Sequence, residues 1–364
     1  MAELRKIDRR RFLGAAAGAA AGIAAAPWAR RAFAHDNGRA QGKPLLPKHR
    51  IGIQLFTLRN RIQVLGFEQV FSELAEIGYH EVEFAGYSAP DTNVPNPMPP
   101  PATLPSTQNI RRLLDKYHLK GVGSHIGVTE FRDNLQQVLD DAETLGLPYI
   151  GTASEPDQLF PVEERQTVDA YRRAAEFYNR FGAAAKARGM KFYHHNHSSE
   201  FAVVDGTRLF DVLLAETDPK LVFFELDIFW AYAGATGAPE VPTPTGFRGW
   251  FPNFDPIELV WRQPRRFPLF HAKDGIRTAV GAPTTFGWQF VDVGDGNVPL
   301  EALFTGLDTD EHHFIVERDN HNYPPPGVPA GEPRNAAQLV TAQRSYAYLA
   351  NLRDRRRERD RHRD

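Results

Sequence analysis

Past Pro47 the chain alternates between short apolar runs and longer segments whose apolar residues recur three and four apart. The short runs lie at 51–58, 81–85, 121–126, 149–152, 191–195, 221–227, 269–272 and 314–317. They have the length and near-continuous apolarity of strands buried on both faces. Amphipathic helices are expected at 67–77, 107–117, 134–145, 168–188, 208–216 and 338–352. Gly78, Gly146 and Gly189 fall just past helix ends, where a left-handed cap is expected, and Pro148 and Pro219 stand in turns before strands. Strands alternating with helices build parallel sheets, and eight such units point to a (β/α)8 TIM barrel, an α/β fold in a single domain. A doubly wound open sheet is the competing arrangement. It usually carries a G-x-G-x-x-G first turn, which residues 51–60 lack.

Four segments are long and rich in Pro and Gly: 86–105, 236–256, 275–290 and 320–334. Each follows a strand, so a barrel gathers all four on its C-terminal face, where sites are built. Passive insertions are the plain alternative. Four on one rim read as a substrate lid.

The ends of the chain differ from its body. The first 34 residues carry a net charge of +5 and residues 353–364 a net +3, so the total of −2 leaves about −10 between them. A nucleic-acid-binding body should be basic, so no nucleic-acid partner is expected. There is no cysteine, which excludes disulfides, thiolate zinc sites, iron–sulfur clusters and a cysteine nucleophile.

Residues 1–34 read as a secretory signal. A basic start leads into Asp8-Arg9-Arg10-Arg11-Phe12-Leu13-Gly14, then an Ala/Gly-rich stretch to Pro27 and an A-x-A cleavage site at Ala32-Phe33-Ala34. The paired arginines before Phe-Leu resemble a twin-arginine export signal; a Sec signal or an Ala-rich helix of the fold are the alternatives. The twin-arginine reading implies the export machinery as a partner and a periplasmic or extracellular location. The apolar run is too short and interrupted for a stable membrane anchor. Residues 35–48 are expected to be a linker, 49–352 the barrel and 353–364 a charged, disordered tail.

Polar residues that end apolar strands carry the functional signal. They are Ser124-His125, Ser154-Glu155, the run His194-His195-Asn196-His197-Ser198-Ser199-Glu200, Glu225-Leu226-Asp227, His271-Ala272-Lys273-Asp274 and Glu317-Arg318-Asp319. In a barrel these ends converge on one mouth. Imidazoles and carboxylates around one opening suit one divalent metal, Mn, Co, Zn or Fe rather than Ca. Separate salt bridges and satisfied histidines are the structural alternative; six of eight strand ends favour a site.

Several of these stretches are similar to the sugar phosphate isomerase/epimerase superfamily, the xylose-isomerase-like TIM barrels. They are Gly52-Ile53-Gln54-Leu55-Phe56-Thr57-Leu58-Arg59, Ile77-Gly78-Tyr79-His80-Glu81-Val82-Glu83, the stretch around His195-Asn196-His197 with Glu200-Phe201, Glu225 to Trp230, His271 to Asp274 and Ile315-Val316-Glu317. The resemblance spans roughly residues 50–350. It implies a metal held by His195, Asp227, His271 and Glu317, with His197 and Glu200 as rivals on the fifth strand. Ketose epimerases of the superfamily use two metal-bound glutamates as an acid/base pair. Here His195 replaces one, so Glu200, Glu155 or Lys273 would share the work with Glu317.

Lys273 falls on the strand face of His271. There it would stabilise an enolate oxygen or hold a carboxylate, or form a structural ion pair. Apurinic-site endonucleases of the superfamily carry Asp-x-x-His on the sixth strand, where this chain has Asp227-x-x-Trp230. Trp230, Phe56, Phe229 and Tyr232 would stack on a sugar or fill the core. His125, Glu155, His197 and Trp230 are the expected substrate-binding residues.

The resulting expectation is an exported, divalent-metal-dependent sugar isomerase/epimerase-type enzyme working through an enediolate. Its outcome would be isomerisation, epimerisation or elimination on a free sugar, polyol or keto-glycoside, with lyase or hydrolase action on 3-keto-glycosides included. Glu317, Glu200 and Lys273 are the expected catalytic residues, and a homo-oligomer is open as an assembly. The alternative is a catalytically inactive periplasmic sugar-binding barrel.

Overall fold

The computed structural model describes residues 43–86, 105–236, 254–277, 287–319 and 334–354. The leader expected at 1–34 lies outside them, as do most of the linker, the end of the tail and the central parts of all four long loops.

Eight parallel strands form one sheet: β1 (Ile51–Gln54), β2 (Glu81–Phe84), β3 (Lys120–Ser124), β4 (Tyr149–Thr152), β5 (Lys191–His195), β6 (Val222–Asp227), β7 (Leu269–Ala272) and β8 (His313–Val316). Their order around the sheet is β3-β2-β1-β8-β7-β6-β5-β4. The seam between β3 and β4 is bridged by His125 against Gly151, with Ile126 N donating to Gly151 O at 2.8 Å. The result is a nearly closed (β/α)8 barrel in a single domain.

The helices between strands include α1 (Arg59–Ile77), α2 (Thr107–Tyr117), α3 (Val128–Leu145), α4 (Val168–Ala187), α5 (Leu209–Glu216), α6 (Ile228–Thr236), α7 (Pro256–Arg262), α8 (Leu300–Thr305) and α9 (Arg334–Asn351). Helices α1 and α3 begin earlier than their apolar periodicity indicates, because each is broken: at Gly66, with φ of 78°, and at Asn134. The periodic part starts only after the break. Gly78 and Gly146 cap α1 and α3 in the left-handed region. Helices α6, α7 and α8 were not expected. Helix α6 is apolar all round, so it shows no stripe, and the other two are short.

Strand β1 is shorter than its apolar run. The Gln54 side chain accepts from Phe56 N at 3.1 Å and turns 55–58 into a 3₁₀ helix. At the other end of the domain, Leu45 N donates to Leu352 O and Asp354 N to Lys43 O, both at 2.9 Å. Leu45 and Leu46, expected in the linker, are buried, and Arg353, expected in the tail, bridges Pro44. The packed body therefore extends slightly past both expected boundaries. Among the described residues no helix is long and apolar enough to cross a membrane.

Among the described residues, buried apolar side chains form two main cores and a small pair, Ala337 with Val340. The larger lies between the strands and the helices. The smaller is a plug inside the barrel, made of Val122, Tyr149, Tyr193, Leu269 and Ile315. Alternation along each strand produces this division. Phe192 and Phe224 turn outward to the helices, whereas Tyr193, His195, Glu225, Asp227 and His271 turn inward.

Candidate metal centre

Above the apolar plug the barrel holds charge. Register places the site residues side by side: Gln54 beside Glu83, His195 beside Glu225, and Asp227 beside His271. Lys273 and Glu317 each lie two residues past a paired position, so the same inner face carries them to the mouth. Potential ligand atoms of His195, Asp227, His271 and Glu317 all lie within 4.8 Å of one another. A second group, His125, His195, Glu225 and His271, meets the same condition and shares both imidazoles.

Lys273 stands among three carboxylates. Its Nζ lies 2.7 Å from Asp227 Oδ2, 2.7 Å from Glu317 Oε2 and 2.8 Å from Asp319 Oδ1. These anions outweigh burial and hold the ammonium well above its ordinary range. Burial pushes the Asp227 carboxyl up to about 6, against the pull of Lys273 and His271. For Glu317 the balance is reversed: burial raises it, but Lys273 and His271 outweigh burial and hold it well below the carboxylate range. Burial and the neighbouring His271 push His195 well below the usual histidine range, so it is neutral near pH 7.

One layer deeper, Glu83 and Glu225 bind the backs of the imidazoles. His271 Nε2 lies 2.7 Å from Glu83 Oε2 and 3.1 Å from Glu225 Oε2. Gln54 Nε2 donates to Glu83 at 2.8 Å, and the Tyr193 hydroxyl also donates to it. A side chain at Gly123 would place its Cβ 2.9 Å from that hydroxyl, so the glycine makes room for the pair. Burial and the charge of Glu225 raise the Glu83 carboxyl. Asp274 turns away from the cluster. Its two oxygens accept from the backbone amides of Gly275, Gly294, Gly296 and Val298 at 2.8–3.1 Å, which holds the segment after Lys273 in place.

The expected residues do not all meet. His195, Asp227, His271, Glu317 and Lys273 converge, and His125 joins them through Glu225 at 2.7 Å. His197 and Trp230 stand beside the cluster, their rings 5.8 Å apart, with Trp230 5.5 Å from Lys273 Nζ. Glu200 belongs elsewhere. Its Oε1 lies 3.3 Å from His194 Nε2, and its Oε2 accepts from His197 N and Ser199 Oγ. Ser199 Oγ is also 3.0 Å from Glu155. Glu155 and Glu200 therefore form a second polar cluster between β5 and α4, where His194 meets Tyr178. Phe229 and Tyr232 pack on Trp288 and Phe290 as part of the core, and Phe56 lies under the Arg59 guanidinium. Glu225 and Asp319 stand among the strand-end polar residues read from the sequence and Glu83 in a stretch that carries the resemblance, but none of the three is given a role there. The signal was present: each is an acid on the inner face of, or just past, a strand that should be apolar.

The residues fit a divalent cation. Two imidazoles and two carboxylates converge in a buried interior, and Asp227 Oδ2 is buried with an ion-pair contact but no well-directed hydrogen bond.

A family model for the xylose isomerase-like TIM barrel matches residues 71–344. The chain belongs to that family. Within the xylose isomerase-like TIM barrels, it is similar to two solved structures of sugar phosphate isomerase/epimerases from Parabacteroides distasonis. One is 22% identical with a TM-score of 0.60, covering 88% of this chain and 98% of that one. The other is 20% identical with a TM-score of 0.56, covering 83% and 98%. A probable 3-DHS dehydratase involved in petrobactin synthesis in Bacillus anthracis is 13% identical with a TM-score of 0.53, covering 82% and 98%. At these identities the likeness is one of fold. No curated protein matches the chain.

Proposed function

We propose that this xylose isomerase-like barrel is an exported, divalent-metal-dependent enzyme of the sugar isomerase/epimerase type. The observation that carries the reading is the convergence of His195, Asp227, His271 and Glu317 with Lys273 in a buried cluster of opposed charges. His195, Asp227, His271 and Glu317 would hold the cation, which supplies Lewis-acid polarisation of a substrate carbonyl and its adjacent hydroxyl.

The chain's own groups account for the proton transfer. Lys273 presents a fixed positive charge to the oxygen that becomes negative when a proton leaves the neighbouring carbon. Glu317, 2.7 Å from that ammonium, takes the proton and returns it. Return to the opposite face of the same carbon gives epimerisation; return to the former carbonyl carbon, with the hydroxyl proton passing to the former carbonyl oxygen, gives isomerisation; departure of a group from the next carbon, protonated as it leaves, gives elimination. Trp230 and His197 line the approach and bind the sugar face. Glu200, engaged by His194, Ser199 and the His197 amide, braces the loop that carries His197. The leader around Arg9-Arg10-Arg11-Phe12-Leu13 supports export by the twin-arginine route. Free sugars, polyols and keto-glycosides are the substrate class.

The test is deuterium uptake. Metal-loaded protein is incubated with aldoses, ketoses and 3-keto-glycosides in D₂O and followed by NMR. Deuterium at the carbon next to the carbonyl is the expected result and identifies the reacting carbon. Tight sugar binding without exchange would favour the non-catalytic binding barrel instead.

A further inference from the structure

His195 and His271 form a wall between two sets of ligand atoms. On one side are Asp227 and Glu317; on the other are Glu225 and His125. Each ring turns one nitrogen to each side. His195 presents Nδ1 to Glu225 Oε2 at 3.1 Å and Nε2 to Asp227 Oδ2 at 3.9 Å. His271 presents Nε2 to Glu225 Oε2 at 3.1 Å and Nδ1 to Asp227 Oδ2 at 3.9 Å. His125 Nε2 reaches the same Glu225 oxygen at 2.7 Å. Distances on the Glu225 side are those of hydrogen bonds, and there His271 Nε2 also meets Glu83 Oε2 at 2.7 Å; both distances to Asp227 are too long for one, although His271 Nδ1 meets Glu317 on that side.

A neutral imidazole has one N–H and one lone pair, and a carboxylate only accepts. His195 Nδ1, the nitrogen at hydrogen-bond distance from a carboxylate, therefore carries its hydrogen, and its Nε2 is left to bind a cation; His271 meets a carboxylate through each nitrogen, and of its two hydrogens only the one on Nδ1 faces the Asp227 side. The two ligand groups cannot be filled together, because each would need the lone pair of the same two rings. His271 also approaches Glu317 from Nδ1, at 2.8 Å, with a proton that a cation on that side would displace.

We propose that Glu225 is the positioning residue of the centre. It fixes the tautomer of His195 and, with Glu83 2.7 Å from His271 Nε2, that of His271, so that Nε2 of one and Nδ1 of the other face Asp227 and Glu317. It thereby limits the centre to one divalent cation, on the Asp227 side. This inference rests on the metal-dependent reading above.

The test uses the full chain, stripped with a chelator and titrated with Co²⁺, read by calorimetry and visible absorption. The wild type should bind one equivalent. Glu225→Gln should still bind one, with affinity lowered about 10–100-fold and an altered Co²⁺ spectrum. Ring ¹⁵N shifts of the Zn²⁺-loaded wild type should show hydrogen on His195 Nδ1 and His271 Nε2, a readout that needs no variant. Two equivalents in the wild type would overturn the inference. So would unaltered affinity in Glu225→Gln, the opposite tautomers, or a larger loss in His125→Asn than in Asp227→Asn. A wild type that binds neither Co²⁺ nor Zn²⁺ would overturn the metal-dependent reading and this inference together.

Discussion

Lys273 reaches across the seam between β7 and β6 to place its Nζ 2.7 Å from Asp227 Oδ2. The same ammonium also pairs with Glu317 and Asp319, so three carboxylates share one buried cation. Removing one partner of a buried ionic group leaves the others uncompensated. Lys273→Met should therefore lower the stability of the metal-free protein by about 3–5 kcal/mol. A divalent cation that binds beside Asp227 and Glu317 should restore part of the loss. Thermal melting with and without Mn²⁺ checks this; a variant that melts like the wild type without metal would refute it.

Asp227 pairs with Lys273 through one oxygen and holds the backbone by the other, its Oδ1 accepting from Trp230 N at 2.8 Å. Asp227→Asn keeps a carbonyl for that amide but removes the charge. Stoichiometric metal binding and deuterium exchange should both disappear while the fold persists. Metal analysis and circular dichroism distinguish loss of ligand from loss of fold.

Glu200 provides a pH prediction away from the metal ligands. Burial alone would raise its carboxyl, but the hydrogen bond and charge of His194, aided by His197, outweigh burial and hold it below the usual value of 4.5. A carboxyl lowered in the folded state contributes stability that is complete above its unfolded pKa. That stability is lost as pH falls through the lower folded value. Glu200→Gln should cost about 1–3 kcal/mol at pH 7, and the gap from wild type should shrink progressively below pH 4.5. Melting curves from neutral to acid pH read the gap; a gap that widens with acid would contradict the assignment.

Gly151 stands at the seam that closes the barrel. A Cβ there would lie 2.4 Å from the Tyr193 carbonyl oxygen and 2.6 Å from its ring. Gly151→Ala should destabilise the protein by about 1–3 kcal/mol through overpacking. Because the displaced strand β5 carries His195, metal affinity should fall as well. Urea unfolding and Co²⁺ titration of one preparation measure the two effects.

Much of this arrangement is legible from the chain alone. The eight strands could be read because a strand covered on both faces has to be apolar along its length, and three of them, 149–152, 191–195 and 269–272, keep the bounds that their apolar runs indicate. Helix 107–117 does the same, since its stripe is strong and Ser106 caps it through Asn109 N. Helix α6 was hidden because it lies under other elements and needs no polar face. Gathering of His195, Asp227, His271, Lys273 and Glu317 at one mouth follows from strand order and period-two alternation, both local properties.

What local pattern does not contain is register and direction across the chain. Only the folded barrel decides that Glu225 meets three imidazoles with one oxygen, that Glu83 backs His271 from the second strand, and that Asp319 completes the lysine's anions. Only it decides that Glu200 faces His194 outside the cluster, five residues from His195 in the chain. Burial pattern and helix period are written residue by residue, so the sequence determines the elements and their inner faces. The meeting of one side chain with another depends on how closure of the barrel sets distant strands side by side, and that is settled only when the whole chain packs.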